Sequence, residues 1–381
     1  MAQLTQWTQP PYPAIGMFSL RLITRPWRSW IYYTRGEIWS FFQLMMAGAT
    51  PRVLEWPIPW PLLGVTSYRT WMNGLVLGPN GTAWACLGPN TDSRLVELQP
   101  SAGLITALYG LAGAPYDDMH GLAFDGQGGL WYGVAAAPNR PAIGMFDRAA
   151  VQSRVWALPA DCSYPVWVRP ERNAAAVWFA CYNWNPSPTG GAFFGRLDPT
   201  AGTVEYWSSP GLVPANFAIA VEPPSNAANV WLSSYGYPSS APHISRVVRL
   251  EVASGTFYEY TAPTFATPLG LEVDPRANAW VAEGENVRFI RRGANCGVTK
   301  FKRHSARVKA RTSTVRATEQ RVKPIETPVP ASVSTVGPTP ENCFQNYWVG
   351  PARPAHLAID ARGPRVYFTD PGTNTIGRLE P

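Results

Sequence analysis

The chain has 381 residues, of which 46% are hydrophobic and 15% are charged, and its formal net charge is +7. This composition is sufficient for a large core and excludes wholesale disorder. No apolar run reaches the roughly 18 residues that a membrane-spanning helix needs. The N-terminus lacks the basic-then-apolar order of a signal peptide, so we expect a cytoplasmic protein.

Turn-forming and aromatic residues are both abundant. The chain contains 33 Gly and 39 Pro, together with 17 Trp, 16 Tyr and 15 Phe. Gly and Pro favour tight turns and aromatic residues favour strands. The combination predicts many short strands and argues against an all-helical protein.

One pattern recurs along the chain. It consists of an apolar strand ending in an acid, an aromatic strand, a strand containing Arg-Leu, a Gly turn and an outer strand. The aromatic residues of the second strand recur at spacings of 52, 47, 47, 53, 49 and 87 residues: Tyr32, Trp84, Trp131, Trp178, Trp231, Trp280 and Tyr367. A period of 40 to 50 residues is typical of a propeller blade. We therefore predict an all-β fold, a seven-bladed β-propeller with four-stranded blades.

The two chain ends complement each other. Residues 4–7, Leu-Thr-Gln-Trp, resemble the outer strands elsewhere in the chain, and the last repeat stops after its third strand at residues 376–381. We expect the N-terminal strand to close the last blade. Closure of this kind removes an exposed edge and makes residues 1–381 a single domain.

A basic and Pro-rich insertion, residues 293–340, is predicted within the sixth blade. Between Arg288 and Lys323 there are twelve Lys or Arg and one acid, Glu319, so this stretch carries +11 and the rest of the chain −4. An extended hairpin with one charged face, a disordered arm, and an arm folded onto the acidic propeller body are all compatible with the pattern.

The charge of the insertion predicts a negatively charged partner, either RNA or an acidic protein within a larger assembly. Phe301 is its one aromatic residue, which favours contacts with the backbone of a nucleic acid rather than base stacking. The residues that we expect to bind such a partner are Arg291, Arg292, Lys300, Lys302, Arg303, Arg307, Lys309, Arg311, Arg316, Arg321 and Lys323.

Five cysteines contain no CxxC pair, which makes a zinc site unfavourable. Cys162 and Cys181 fall in one blade and could form a disulfide, while Cys296 and Cys343 bracket the insertion and could staple its base. Free thiols are the alternative. Two disulfides in a cytoplasmic protein, together with 28 Arg against 4 Lys, would suit a thermophile. A GC-rich genome would produce the same Arg bias.

Several blade sequences resemble those of streptogramin B lyase (virginiamycin B lyase) and its propeller relatives. They are residues 178–181 (Trp-Phe-Ala-Cys), 280–283 (Trp-Val-Ala-Glu), 366–370 (Val-Tyr-Phe-Thr-Asp) and 376–381 (Ile-Gly-Arg-Leu-Glu-Pro). The resemblance implies a seven-bladed propeller. It also implies a lyase that opens a cyclic ester by elimination, using Mg²⁺, two His from neighbouring blades and a Glu.

The implied lyase site is only partly present. His356 matches the first His position, and Asp370 stands where the family has Glu. Gly270 occupies the position of the partner His, and Pro354 replaces an acid two residues before His356. His356 and Asp370 are therefore candidates for catalysis, with Mg²⁺ as the cofactor that the resemblance implies.

Four further polar residues are expected at the channel, namely His120, Asp118, Glu283 and Arg35. We expect His120, which follows Asp118, to line the channel mouth, with a role as a metal ligand as the alternative. We expect Glu283 and Arg35 to form a carboxylate–Arg network with Asp370 near the axis. Three functions remain open, since superfolds carry many activities. The favoured one is a non-catalytic interaction scaffold anchored through the insertion. The others are a metal-assisted lyase and a small-molecule binder without turnover.

Overall fold

The computed structural model describes residues 1–8, 17–25, 28–35, 40–46, 50–59, 71–78, 80–88, 94–109, 111, 117–136, 141–162, 164–171, 176–182, 192–208, 216–222, 229–236, 244–261, 268–294, 297–299, 301–341, 343–350, 354–360, 365–370, 373 and 375–381. The regular structure in this part of the chain is all β-strand. No helix among these residues is long and apolar enough to cross a membrane.

Seven antiparallel sheets form a ring, which confirms the predicted seven-bladed propeller. The first three blades contain β2 (Met17–Arg25), β3 (Arg28–Arg35), β4 (Ser40–Met45) and β5 (Arg52–Pro57); β6 (Trp71–Leu77), β7 (Ala83–Gly88), β8 (Arg94–Gln99) and β9 (Leu104–Tyr109); and β10 (Asp117–Phe124), β11 (Leu130–Ala136), β12 (Ala142–Asp147) and β13 (Gln152–Ala157).

The next two blades contain β14 (Pro165–Pro170), β15 (Val177–Cys181), β16 (Ala192–Asp198) and β17 (Thr203–Ser208); and β18 (Asn216–Val221), β19 (Asn229–Gly236), β20 (Ile244–Glu251) and β21 (Thr256–Tyr260). Blade 6 contains β22 (Pro268–Val273), β23 (Ala279–Glu283), β24 (Asn286–Ile290) and β32 (Phe344–Trp348). Blade 7 contains β33 (Leu357–Ile359), β34 (Val366–Asp370), β35 (Thr375–Glu380) and β1 (Ala2–Thr8).

The N-terminal strand closes the ring, as predicted. β1 pairs with β35, so that Leu4 lies opposite Leu379 and Trp7 opposite Ile376. Trp7 also belongs to the apolar cluster between blades 7 and 1, where it meets Phe42 of β4. The N-terminal strand is therefore hydrogen-bonded into blade 7, and its Trp7 belongs to a core shared with blade 1.

The repeated acid of the sequence pattern holds the repeated Trp. In four blades the indole N–H donates to an acidic side chain that follows the inner strand: Trp131 to Asp125 at 2.7 Å, Trp178 to Glu171 at 3.0 Å, Trp231 to Glu222 at 2.8 Å and Trp280 to Asp274 at 3.3 Å. Each bond satisfies the one polar atom of a large side chain packed between blades.

The insertion adds a fifth strand to every blade, whereas four strands per blade were predicted. Its strands are β25 (Val298–Thr299), β26 (Lys302–Arg307), β27 (Ala310–Thr314), β28 (Arg316–Arg321), β29 (Ile325–Pro328), β30 (Ala331–Val336) and β31 (Pro338–Glu341). They pair in this order with the outer strands of blades 5, 4, 3, 2, 1, 7 and 6. We call residues 298–341 the belt, since they follow the whole circumference of the propeller.

The belt packs against the propeller through an apolar residue at every seventh position. One apolar belt side chain enters each of six successive spaces between neighbouring blades: Phe301, Val308, Val315, Val322, Val329 and Val336. Seven residues of extended chain span roughly 23 Å. Each seven-residue period of the belt therefore extends from one space between blades to the next. Of the three arrangements that the sequence left open, the belt corresponds to an arm folded onto the propeller body.

Candidate functional site

His356 lies at the start of the inner strand of blade 7, at the wall of the central channel. Its main chain is held by β34, because Thr369 N–H donates to the His356 carbonyl at 3.1 Å. The imidazole is half-buried, and its ring centre lies 6.0 Å from that of Trp167 on β14. Blades 4 and 7 are not neighbours, so this contact crosses the channel and places an indole beside the candidate catalytic imidazole.

Gly270 stands where the lyase family has its second His. A Cβ atom added to Gly270 would lie 2.5 Å from the carbonyl oxygen of Ala355 and 3.1 Å from Cα of His356. These are backbone atoms of the next blade, which cannot move aside cheaply. The close approach of β22 to the chain before β33 therefore requires a glycine and leaves no space for a second imidazole at this point.

The Asp370 carboxylate is bound within its own hairpin. Asp370 is fully buried at the end of β34. It accepts hydrogen bonds from the backbone N–H of Thr373 at 3.3 Å and from the Thr373 hydroxyl. These bonds stabilise the turn between β34 and β35, as Asp side chains commonly do in turns.

Glu283 takes part in a buried ion pair. Glu283 on β23 and Arg288 on β24 are both 0% exposed, and the Arg288 Nε–H group donates to the Glu283 carboxylate. Arg288 also donates to the Asn346 side-chain oxygen at 2.8 Å. This pair lies inside blade 6, and its arginine comes from the next strand of the same blade rather than from Arg35.

The other predicted channel residues are placed as follows. His120 is half-buried on β10, one residue before a bulge at Gly121. Asp118 lies on β10 and Arg35 on β3, where Arg35 pairs with Met17, but both side chains lie outside the described part of the structure.

Among the described residues, no group of three His, Cys, Asp or Glu could hold a metal ion. With Asp370 bound to Thr373 and Gly270 in place of the second His, the residues present do not fit the Mg²⁺ site that the resemblance implies.

Solved structures share this architecture. The chain shares the fold of streptogramin B lyase. Virginiamycin B lyase from Staphylococcus aureus, a catalytically inactive form with quinupristin, superposes with a TM-score of 0.66 at 15% identity, over 100% of this chain and 99% of that chain. A second streptogramin B lyase structure gives 0.64 at 16% identity, over 100% and 98%.

A propeller of another class is also similar. The Pan2 WD40 domain of Neurospora crassa gives a TM-score of 0.50 at 10% identity, over 99% of this chain and 96% of that chain. The sequence matches no protein-family profile and no curated protein. At these identities the similarities establish the fold alone, since one fold serves many functions.

The basic residues of the insertion occupy one side of the ring. Residues 302–323, which we call the basic arc, run along blades 4, 3 and 2. Their exposed Lys and Arg are Lys302, Arg303, Arg307, Lys309, Arg311, Arg316, Arg321 and Lys323. Arg291 and Arg292 are exposed after β24 on blade 6, away from the arc, and Lys300 lies outside the described residues.

The arc contacts the propeller body mainly through uncharged groups. Within the described part of the chain, only Arg303 of the arc has an acidic partner, Glu205 on β17. His304 stacks on Tyr206 with 4.8 Å between ring centres. Burial raises the pKa of Glu97 beneath the arc, and nearby Glu319 adds to this rise while Arg148 opposes it. Because the other basic side chains of the arc have no acidic partner among the described residues, they form a concentrated positive surface.

The other half of the belt is different in kind. Residues 324–341 contain no Lys or Arg, and prolines stand at 324, 328, 330, 338 and 340. Glu326 of this half pairs with Arg52 on β5. The charge asymmetry of the sequence is thus an asymmetry around the circumference of the molecule.

The predicted Cys162–Cys181 disulfide is not formed. Neither cysteine is disulfide-bonded, and both are buried in the apolar cluster between blades 3 and 4. Burial raises the pKa of the Cys181 thiol well above its ordinary value, and a hydrogen bond with Cys162 adds to the rise. Both effects disfavour the thiolate that disulfide formation requires. Cys343 is disulfide-bonded, and its predicted partner Cys296 lies outside the described residues.

Proposed function

We propose that this chain is a non-catalytic interaction propeller that holds the backbone of single-stranded RNA on its basic arc. One observation carries the proposal. Eight exposed Lys and Arg lie within 22 residues on three adjacent blades, with Glu319 as the one acid among them. A fixed cluster of like charges repels itself, and a polyanion relieves that repulsion while releasing counterions.

The shape of the arc favours a flexible strand. Its 22 residues follow roughly 70 Å of extended chain along the convex rim of the ring. A duplex is stiff over about 50 nm and touches such a curve at few points. Single-stranded RNA bends with the rim and meets more cations.

The arc supports contact with phosphates rather than with bases. Phe301 packs on Phe257 with 4.6 Å between ring centres, and it belongs to the core between blades 4 and 5. It is therefore not free to stack on a base. Binding through cations alone carries no sequence preference.

Protection of sheet edges is the alternative explanation for the charge. The belt forms the outer edge of every sheet, and Lys or Pro on an edge strand discourages pairing with another chain. In residues 324–341 prolines serve this purpose without any basic residue. Edge protection alone therefore does not require the cations of the arc.

The lyase alternative is less well supported by the channel. Its chemistry needs a second imidazole near His356, and the contact between Gly270 and the backbone of the next blade leaves no space for one. The carboxylate of Asp370 is bound to Thr373. Neither observation bears on the outer rim, where the proposed function resides.

The test compares two triple variants of the full chain. Arg307, Arg311 and Arg316 of the arc are changed to Gln in one, and Arg276, Arg291 and Arg292 of blade 6 in the other. All six are exposed, so both variants are expected to fold. Each lowers the net charge by the same amount, and the belt remains in place in both.

Binding to a 20-nucleotide RNA is measured by fluorescence anisotropy across a salt series. We expect the arc variant to bind at least 10-fold more weakly, with a salt slope reduced by about 2, because about 0.7 counterions are released per neutralised phosphate of a single strand. The blade 6 variant should resemble the parent. Equal losses in both variants, or no binding by the parent at low salt, would refute RNA as the partner and direct the search to an acidic protein.

A further inference from the structure

A cavity of about 360 Å³ lies at the end of the channel where the inner strands finish. Five blades contribute to its wall: Val76 and Leu77, Leu122 to Phe124, Arg169, Glu272, and Ala358 and Ile359. His120 and His356 stand two or more residues earlier on these inner strands. The described wall of the cavity therefore lies further along the inner strands than these two imidazoles.

An ion pair lies in the wall of this cavity. Arg169 of β14 and Glu272 of β22 approach to 3.3 Å, and their side chains remain 18% and 26% exposed. Blades 4 and 6 are not neighbours, so the pair bridges part of the channel. The contact is longer than the roughly 2.8 Å of a tight charged hydrogen bond. The other described side chains of the wall are aliphatic or aromatic.

This arrangement selects for the charge pattern of a ligand. A simple anion is attracted by Arg169 and repelled by Glu272, and a simple cation meets the reverse. A molecule that carries both charges satisfies both groups and leaves neither unpaired at the wall. An apolar remainder would contact Leu77, Leu122 and Phe124.

We propose that the cavity binds an apolar zwitterion, an α-amino acid with a branched or aromatic side chain. Its carboxylate takes the guanidinium of Arg169, which can donate two parallel hydrogen bonds. Its ammonium group donates to Glu272. A cavity of this volume is of the size that small-molecule sites have, about 300 Å³ and above. The proposal is independent of RNA binding at the rim.

The test is isothermal titration of the full chain with L-leucine and L-phenylalanine. Two analogues of phenylalanine separate the charges, since 3-phenylpropanoate lacks the amine and phenethylamine lacks the carboxylate. We expect at least one amino acid to bind, and its matching analogues to bind at least 10-fold more weakly. An anion that binds as tightly as the amino acid would overturn the zwitterion.

Variants locate the site. Arg169→Gln and Glu272→Gln should each weaken amino-acid binding at least 10-fold. The exposed pair of blade 1 and the belt supplies matched controls, Arg52→Gln and Glu326→Gln, which should not alter it. Melting curves check that all four fold. Absence of binding by the parent at millimolar ligand, or equal loss in variants and controls, refutes the proposal.

Discussion

Deleting residues 1–8 is expected to lower the free energy of unfolding by about 5 kcal/mol or more. β1 lies inside the sheet of blade 7, between β35 and the belt strand β30. Its Leu4 and Trp7 are 3% exposed, and truncating a buried Leu or Trp to Ala costs roughly 2–5 kcal/mol each. The deletion also removes the hydrogen bonds of β1 to β35 and β30, and with them the strand that ties the N-terminal end of the chain to blade 7.

Urea unfolding followed by Trp fluorescence measures this effect. Two point variants in β1 are measured as well, so that the prediction is tested even if the deletion variant is too unstable to purify. Trp7→Ala should cost about 3–5 kcal/mol. Gln3→Ala, on the exposed face of the same strand, should stay within about 0.5 kcal/mol of the parent. Unchanged unfolding midpoints for the deletion and for Trp7→Ala would contradict closure of the ring by β1.

The propeller itself could be predicted because its signal repeats. Each blade needs a large side chain between itself and its neighbour, and Trp residues from Trp84 to Trp280 supply it at nearly constant intervals. In blades 3 to 6 an acid also follows the inner strand, because the indole N–H needs a partner. A pattern that repeats in most of the blades outweighs irregularities in any single blade.

The belt could not be predicted in the same way, although its sequence carries a signal. Val308, Val315, Val322, Val329 and Val336 stand seven residues apart. Such spacing usually indicates a coiled coil, which the prolines of this segment oppose. The spacing acquires its meaning only from the width of a blade. Without that ring in place, the same residues are compatible with a linker.

The roles of the channel residues could not be predicted from their spacing in the sequence. Glu283 and Asp370 occupy equivalent strand ends, so spacing alone assigns them one role. In the structure Glu283 is bound to Arg288 and Asp370 to Thr373, because the residues that follow each strand differ. Arg169 and Glu272 were not singled out at all. Their meeting depends on two blades that are far apart in the chain.

Replacing Glu283 by Ala is expected to cost about 3–5 kcal/mol of stability, because it leaves Arg288 charged and buried without its partner. Arg288 and Glu283 are 0% exposed, whereas Arg52 and Glu326 at the rim are 57% and 45% exposed. Glu326→Ala should therefore cost less than about 1 kcal/mol. Urea unfolding of the two variants measures the difference directly.

The double variant Glu283→Leu with Arg288→Met tests whether the lost stability comes from the unpaired charge of Arg288. The attraction within a buried ion pair roughly offsets the cost of removing both charges from water. Replacing both partners by apolar groups of similar size therefore often changes the free energy of unfolding little. The double variant should recover most of the stability lost in Glu283→Ala. Asn346, which accepts a hydrogen bond from Arg288, then loses that donor and sets the remaining deficit at about 1–3 kcal/mol. If Glu283→Ala instead left stability unchanged, the carboxylate would belong to the channel, as its position in the sequence first indicated, and not to the core of blade 6.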